Sequence, residues 1–268
     1  MDDFFQKGAA PLDKASVSGI LLAIAGIVAG LFIEGGNLRQ ILQPTAALIV
    51  FGGTLGAVLL QFPIDTVAAS IRSLVHVFTK PRQTNEKLIR QLVSFANKAR
   101  RSGVVSLDAD LAAVQEPFLK RALMLAVDGT EPAELRKIMH VNLESSAETD
   151  ERLPSVFEAA GGFSPTVGIL GAVLGLIQVM QHLDNIQEVG RGIAVAFVAT
   201  IYGVGAANLF FLPFAGKIRL QLREGHRRRE MILEGVISIL EGMNPRILEI
   251  KLAGFLDELT PGKEVREP

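Results

Sequence analysis

The sequence predicts an all-α membrane protein with four transmembrane helices, a large helical cytoplasmic insertion between spans 2 and 3, and a helical cytoplasmic tail. Three observations predict it. Four windows, 15–33, 40–64, 159–183 and 192–216, hold no Asp, Glu, Lys or Arg, although the 268-residue chain carries 27 basic and 28 acidic side chains. Each window is long enough for an α-helix of ~20 residues, the length that crosses the ~30 Å hydrocarbon core of a bilayer. Of the 27 Lys and Arg, 25 lie in residues 1–14, 65–158 and 217–268, alternate segments of a four-span chain. Lys80, Arg82, Arg152, Lys217, Arg219 and Arg223 stand near span ends, where the positive-inside bias acts most strongly. Both termini are therefore expected in the cytoplasm. Outside the windows apolar residues recur at helical spacing, and no strand alternation competes with them.

The composition also excludes function classes. A net charge of −1 gives no general attraction to nucleic acid. The absence of cysteine removes disulfides, thiolate metal sites and cysteine nucleophiles. The start, Met1 to Lys7, lacks the basic region and small-residue cleavage site of a secretory signal, so the first window reads as a retained span.

In order, residues 1–64 form an N-terminal hairpin with spans at about 17–33 and 44–62. Gly26 and Gly30 in the first span, and Gly52 and Gly56 in the second, have the four-residue spacing that lets helices approach closely in lipid. Pro63 and Asp65 close the second span. Residues 65–158 form a cytoplasmic helical domain. Thr84 and Asn85 are candidate caps for a helix over Glu86–Arg101 that stops at Gly103. Ser106 is expected to cap a second helix with Asp108 and Asp110 in its first turn, where carboxylates oppose the positive end of the dipole. Thr130 and Pro132 begin a third, interrupted only by Pro154, that runs into the third span. Residues 159–216 form a second hairpin, with spans at about 159–182 and 191–214. Lys217 to Met243 continue as helix, Asn244-Pro245 breaks it, and Arg246–Leu259 form a last short helix within the 217–268 tail. Residues 260–268 read as disordered. Only two short turns, Glu34 to Asn37 and His182 to Asn185, face the far side.

The second hairpin is less apolar than an anchor needs. Its spans hold Gly161, Gly162, Ser164, Pro165, Thr166, Gly168, Gly171, Gly175 and Gln178, then Thr200, Tyr202, Gly203, Gly205, Asn208 and Pro213. Polar groups in a span face the bundle interior or a wet cavity, and each proline frees a carbonyl one turn earlier, at Gly161 and Leu209. Close packing with two tolerated kinks and a polar pathway both explain this composition. An ion pathway needs an ionisable carrier, yet these windows hold no Asp, Glu, Lys or Arg, and His182 at the outer rim reads as an interfacial side chain rather than a shuttle. Thr166, Thr200 and Tyr202 can orient water or bond a carboxylate, but they do not bind and release a proton near neutral pH. A partner would have to bring the acid.

The run Phe163-Ser-Pro-Thr-Val-Gly-Ile-Leu-Gly-Ala-Val-Leu-Gly-Leu-Ile-Gln-Val-Met180, with Ala194 to Leu209 and Leu212-Pro-Phe-Ala-Gly-Lys217, resembles the MotA family, ring-forming subunits of the bacterial flagellar stator related to TolQ and ExbB. The hairpin, insertion and tail match as well, so the resemblance covers nearly the whole chain. It implies five copies, a homo-pentamer in the bacterial inner membrane, surrounding two MotB-type subunits whose intramembrane Asp carries the ion. It further implies a cytoplasmic contact with the rotor protein FliG, and neither an enzymatic activity nor a cofactor. Pro165 and Pro213 fall on the family's two coupling prolines, and Thr200 in the motif facing the carrier Asp. Ala99 to Asp108 is similar to the rotor-contacting segment, which places its basic residue at Arg100, beside Arg101, and its acidic one at Asp108, with Asp110 nearby. Ala172 stands where sodium-driven relatives tend to carry a hydroxyl, so the expected ion is H+.

Two other readings stay open: a TolQ- or ExbB-like envelope motor, against which the extra early hairpin speaks, and a passive scaffold or transporter, for which inverted repeats and midplane charges are missing. The basic cluster His226 to Glu230 reads as a positive-inside signal on lipid head groups. Met124, Met139, Met231 and Met243 read as core filler.

Overall fold

The computed structural model describes residues 13–79 and 85–257. Lys80, Arg82, the Thr84 cap and the 260–268 tail lie outside these. Every element among the described residues is helical: α1 Lys14–Ile33, α2 Leu38–Ile41, α3 Pro44–Gln61, α4 Ile64–Val77, α5 Asn85–Ser102, a 3-10 run Val104–Ala113, α6 Pro117–Val127, α7 Pro132–Gln181, α8 Ile186–Leu240 and α9 Pro245–Asp257. Four of them, α1, α3, α7 and α8, are long and apolar enough to cross a membrane.

The chain divides into two compact units, one of residues 81–150 and 221–268, the other of residues 11–80 and 151–220. In the first, one core joins residues far apart in sequence. Leu88 and Leu92 of α5, Leu107, Leu119 and Leu123 of α6, Leu135, Met139 and Leu143 of α7, Met231 to Ile237 of α8 and Leu248 and Leu252 of α9 all pack together. Met139 and Met231 fill this core, whereas Met124 is 47% exposed. Polar ties surround it: Glu234 binds both Arg136 and Lys251. Burial pushes the Glu234 carboxyl up, but those two hydrogen bonds outweigh it and hold the group below its usual range.

Three expectations need correction, two in this unit and one in α7 beyond it. Ser106 caps nothing. Its hydroxyl donates to the Gly103 carbonyl at 2.7 Å, and the segment is a 3-10 run that turns Leu107 into the core. Gly103, at φ 80°, ends α5 in the left-handed region that favours glycine. The next α-helix begins only at Pro117, capped by the Glu116 carboxylate on the Leu119 amide. Most of the basic cluster, in turn, is engaged inside the unit, and only Arg227 stays exposed. Arg228 binds Asn85 at 2.9 Å, Arg229 binds Ser146 at 2.8 Å and reaches Asp150 at 3.6 Å, and His226 reaches Glu230. Their helix face also carries Met231 and Ile232, so burying these draws the guanidinium groups inward. Pro154, finally, does not interrupt α7. The helix runs unbroken through it and through Pro165, because each proline removes one ladder bond while the next turn stays packed, as at buried Val156 and Phe157.

In the second unit, α3 packs on α8 through Ala46, Val50, Val198 and Ala199, and on α4 and α7 through Val58, Val67, Val156 and Ala160. Helix α4, which directly follows Pro63, buries Val67, Ser70 and Val77 and exposes Ile64, Ile71 and Val75. Helix α1 has no buried residue along its length. Two π-turns, at Leu48–Gly52 in α3 and at Ala207–Phe211 in α8, interrupt otherwise regular spans. The second lies just before Pro213, and the Leu212 amide reaches back five residues to the Ala207 carbonyl. An inserted residue of this kind lets a helix pass a proline without ending.

Candidate ion-path hairpin and rotor-facing segment

Glycine sets the geometry of the hairpin formed by the membrane segments of α7 and α8. A Cβ placed on Gly203 would lie 2.5 Å from the Ser164 carbonyl oxygen, 3.1 Å from the Gly168 Cα and 3.2 Å from the Pro165 Cα. One on Gly168 would meet the Ala199 carbonyl at 2.8 Å, and one on Gly175 the Gly192 carbonyl at 2.7 Å. The two backbones therefore touch over several turns, as small residues permit between spans. Ser164, fully buried, donates its hydroxyl to the Gly203 carbonyl at 2.8 Å and fastens the contact. It is a residue that sequence reasoning lists as polar without assigning it a task; its position one residue before Pro165 is the available signal.

The structure brings some expected residues together and separates others. Pro165 and Thr200 both lie at this contact, since Thr200 Cα is 3.5 Å from the Cβ position of Gly168. The Thr200 hydroxyl donates to the Ala196 carbonyl at 3.2 Å, and the Thr166 hydroxyl, on an exposed face, to Phe163 at 2.7 Å. Ala172 is half-buried. Tyr202 points elsewhere: its hydroxyl donates to the Ile41 carbonyl at 2.6 Å and its ring lies 5.9 Å from Phe51, so it docks α8 on the second span. Pro213 is exposed, next to Leu212, whose side chain fills the space beside Gly161. No Asp, Glu, Lys or Arg lies in 159–183 or 192–216. Among the described residues no cluster of His, Asp or Glu could hold a metal ion.

The rotor-facing candidates lie in the other unit. Arg100 and Arg101, in the last turn of α5, and Asp108, on the 3-10 run, are exposed and form no ion pair among the described residues. Asp110 differs, because it is bound to Lys98 at 2.6 Å. Buried Leu107 between them fixes the run to the core, so this small patch of both signs sits on a rigid base.

Comparison with known proteins agrees with this geometry. Residues 110–231 match the MotA/TolQ/ExbB proton channel family and residues 17–103 the motility protein A N-terminal region. Motility protein A of Bacillus subtilis is 36% identical, with 91% of each chain covered, and that of Helicobacter pylori is 31% identical, with 94% of this chain and 98% of the relative covered. The solved structure of C. jejuni MotAB matches with a TM-score of 0.87 at 31% identity, over 96% of this chain and 99% of the other. The flagellar MotAB stator complex from Bacillus subtilis matches at 0.84 and 36%, over 92% and 98%. With both family regions present and these relatives covered nearly end to end, the chain belongs to the MotA/TolQ/ExbB proton channel family and is a multi-pass membrane protein.

Proposed function

We propose that this MotA-like stator subunit couples proton flow along its third and fourth spans to torque on the rotor protein FliG, as one of five copies around two MotB-type subunits. One observation carries the reading: a tightly packed, glycine-lined hairpin with buried and half-buried hydroxyls but no Asp, Glu, Lys or Arg across two 25-residue windows, His182 standing only at the end of the first. A proton crossing lipid needs a carrier, and hydroxyls do not serve near neutral pH. The carrier is the intramembrane Asp of the MotB-type partner. That the matching structures are MotAB complexes supports a two-component machine.

In this reading Thr200 faces the carrier Asp, and Thr166 and Tyr202 belong to the same ion-path hairpin. Pro165 and Pro213 couple ion passage to movement of the spans. Ala172 offers no oxygen ligand for a dehydrated sodium ion, which favours H+, and the cycle calls for no cofactor and no enzymatic step. Residues 1–64 and 159–216 are the membrane parts, and 65–158 and 217–268 the cytoplasmic parts, with both termini inside and the spans in the inner membrane. Arg100, Arg101 and Asp108 meet FliG, and Asp110 holds Lys98 beside them. Each proton that crosses a potential of 100 mV releases ~2.3 kcal/mol for this work. The match of residues 17–103 to a motility protein region favours the flagellar rotor over a TolQ- or ExbB-like envelope partner.

Thr200→Val and Pro165→Ala, each introduced alone, should stop swimming while flagella still assemble and the chain stays in the membrane. Normal swimming in both strains would remove the ion-path assignment.

A further inference from the structure

The first span is tied to its unit at one place. No residue of α1 is buried, and among the described residues every hydrogen bond that leaves this helix and its cap for the rest of the unit, apart from the turn bonds of Gly35 and Gly36 to Phe32 and Leu31 at its far end, is made by Asp13. Asp13 is 6% exposed. Its amide donates to the Phe78 carbonyl at 2.8 Å, and its Oδ2 accepts from the Ser16 hydroxyl at 2.8 Å and from Lys217 Nζ at 2.7 Å.

Lys217 follows Pro213 by one helical turn. Phe214, between them, sets its ring 6.1 Å from Phe78, 6.3 Å from Phe157 and 6.2 Å from Phe210. Arg219 binds Glu151 at 2.7 Å and also binds Glu158. The stretch from Phe214 to Arg219 is thus held by the α1 cap, by the residue after α4 and by α7. Immediately before it stands the π-turn Ala207–Phe211. A helix that meets a rigid base across an opened hydrogen-bond ladder bends at the opening.

We propose that Asp13 is a positioning residue: with Lys217 it clasps the start of the first span to the α8 segment just past Pro213, and this clasp keeps that segment fixed while α8 above the π-turn moves with ion passage. The clasp stands on the geometry alone; its part in the motor rests on the function proposed above.

Because the chain has no cysteine, Ala15→Cys gives a single nitroxide label beside the clasp. Asp13 is the buried member of the pair and Lys217 the partly exposed one, so Asp13→Ala unties the helix start and Lys217→Ala strands a buried carboxylate; either should raise label mobility and cut swimming speed, each roughly twofold or more. Chain level in the membrane should not change. The swapped pair, Asp13→Lys with Lys217→Asp, folds with the charges exchanged and should restore most of both. Unchanged mobility in the single variants, or no recovery in the swapped pair, would overturn the clasp. Raised and rescued mobility with full swimming speed would overturn its role in the motor. If Thr200→Val and Pro165→Ala cells both swim normally, it is the ion-path reading that has failed, and the label still decides the clasp.

Discussion

Asp13 shows how much one side chain can hold. Hydrogen bonds from Lys217 and Ser16, with the Lys217 charge beside it, hold its carboxyl down at about 2 from an ordinary 3.8. A carboxylate depressed by folding contributes stability that is complete above its ordinary value and is lost as pH falls toward the folded one. The clasp therefore stays charged near neutral pH, and the mobility of the label at position 15 should be flat from about pH 8 to about pH 5. A rise within that range would mean that another group controls the site. Glu116 and Asp150 behave in the opposite sense, since burial pushes both carboxyls up against nearby arginines. Little of this residue-level wiring is legible in the sequence. Lys217 reads there as an ordinary charge at a span end and Asp13 draws no reading at all, because their pairing depends on how α1 and α8 are placed, which no local pattern encodes.

Among the elements, the hairpin of α7 and α8 is the one whose packing follows most directly from composition. Gly203→Ala would drive a methyl against the Ser164 carbonyl at 2.5 Å, where backbone and not a flexible side chain must yield. It should destabilise the purified protein by about 1–3 kcal/mol, read by thermal unfolding in detergent, and should abolish swimming. Gly205→Ala, two residues on, meets nothing within 4 Å and should be neutral or slightly stabilising. Equal effects at the two positions would contradict the close backbone contact. The glycines at 168, 175 and 203 announce that contact in the sequence. The π-turns do not announce themselves: Pro213 warns that the ladder must be relieved nearby, but Leu48–Gly52 has no proline at all. The 3-10 run at Val104–Ala113 is likewise hidden, because Ser106 and the acidic residues after it look like a capped helix until the Gly103 carbonyl takes the hydroxyl.

At the scale of the whole molecule, four charge-free windows and the distribution of Lys and Arg make the spans legible, whereas the shared core of insertion and tail is not. Leu92 packs against Gly235, and Leu248 completes the same cluster, although nothing in either segment names the other. Leu248→Ala in the full chain should cost about 2–5 kcal/mol and open the insertion, including α5 and α6, to protease; digestion confined to the tail would contradict a common core. The membrane half has a different dependence, because its spans offer backbone contact and hydroxyls but no carboxylate or amine, and His182 only at the end of one span. In the proposed function this chain is therefore one component of a two-component conductor. Proton flux into liposomes under an applied potential tests it most directly, with the chain reconstituted alone and together with its MotB-type subunit. The chain alone should give no flux, and the pair a flux that disappears when the partner's intramembrane Asp is replaced by Asn. Selective proton conduction by the chain alone would contradict it.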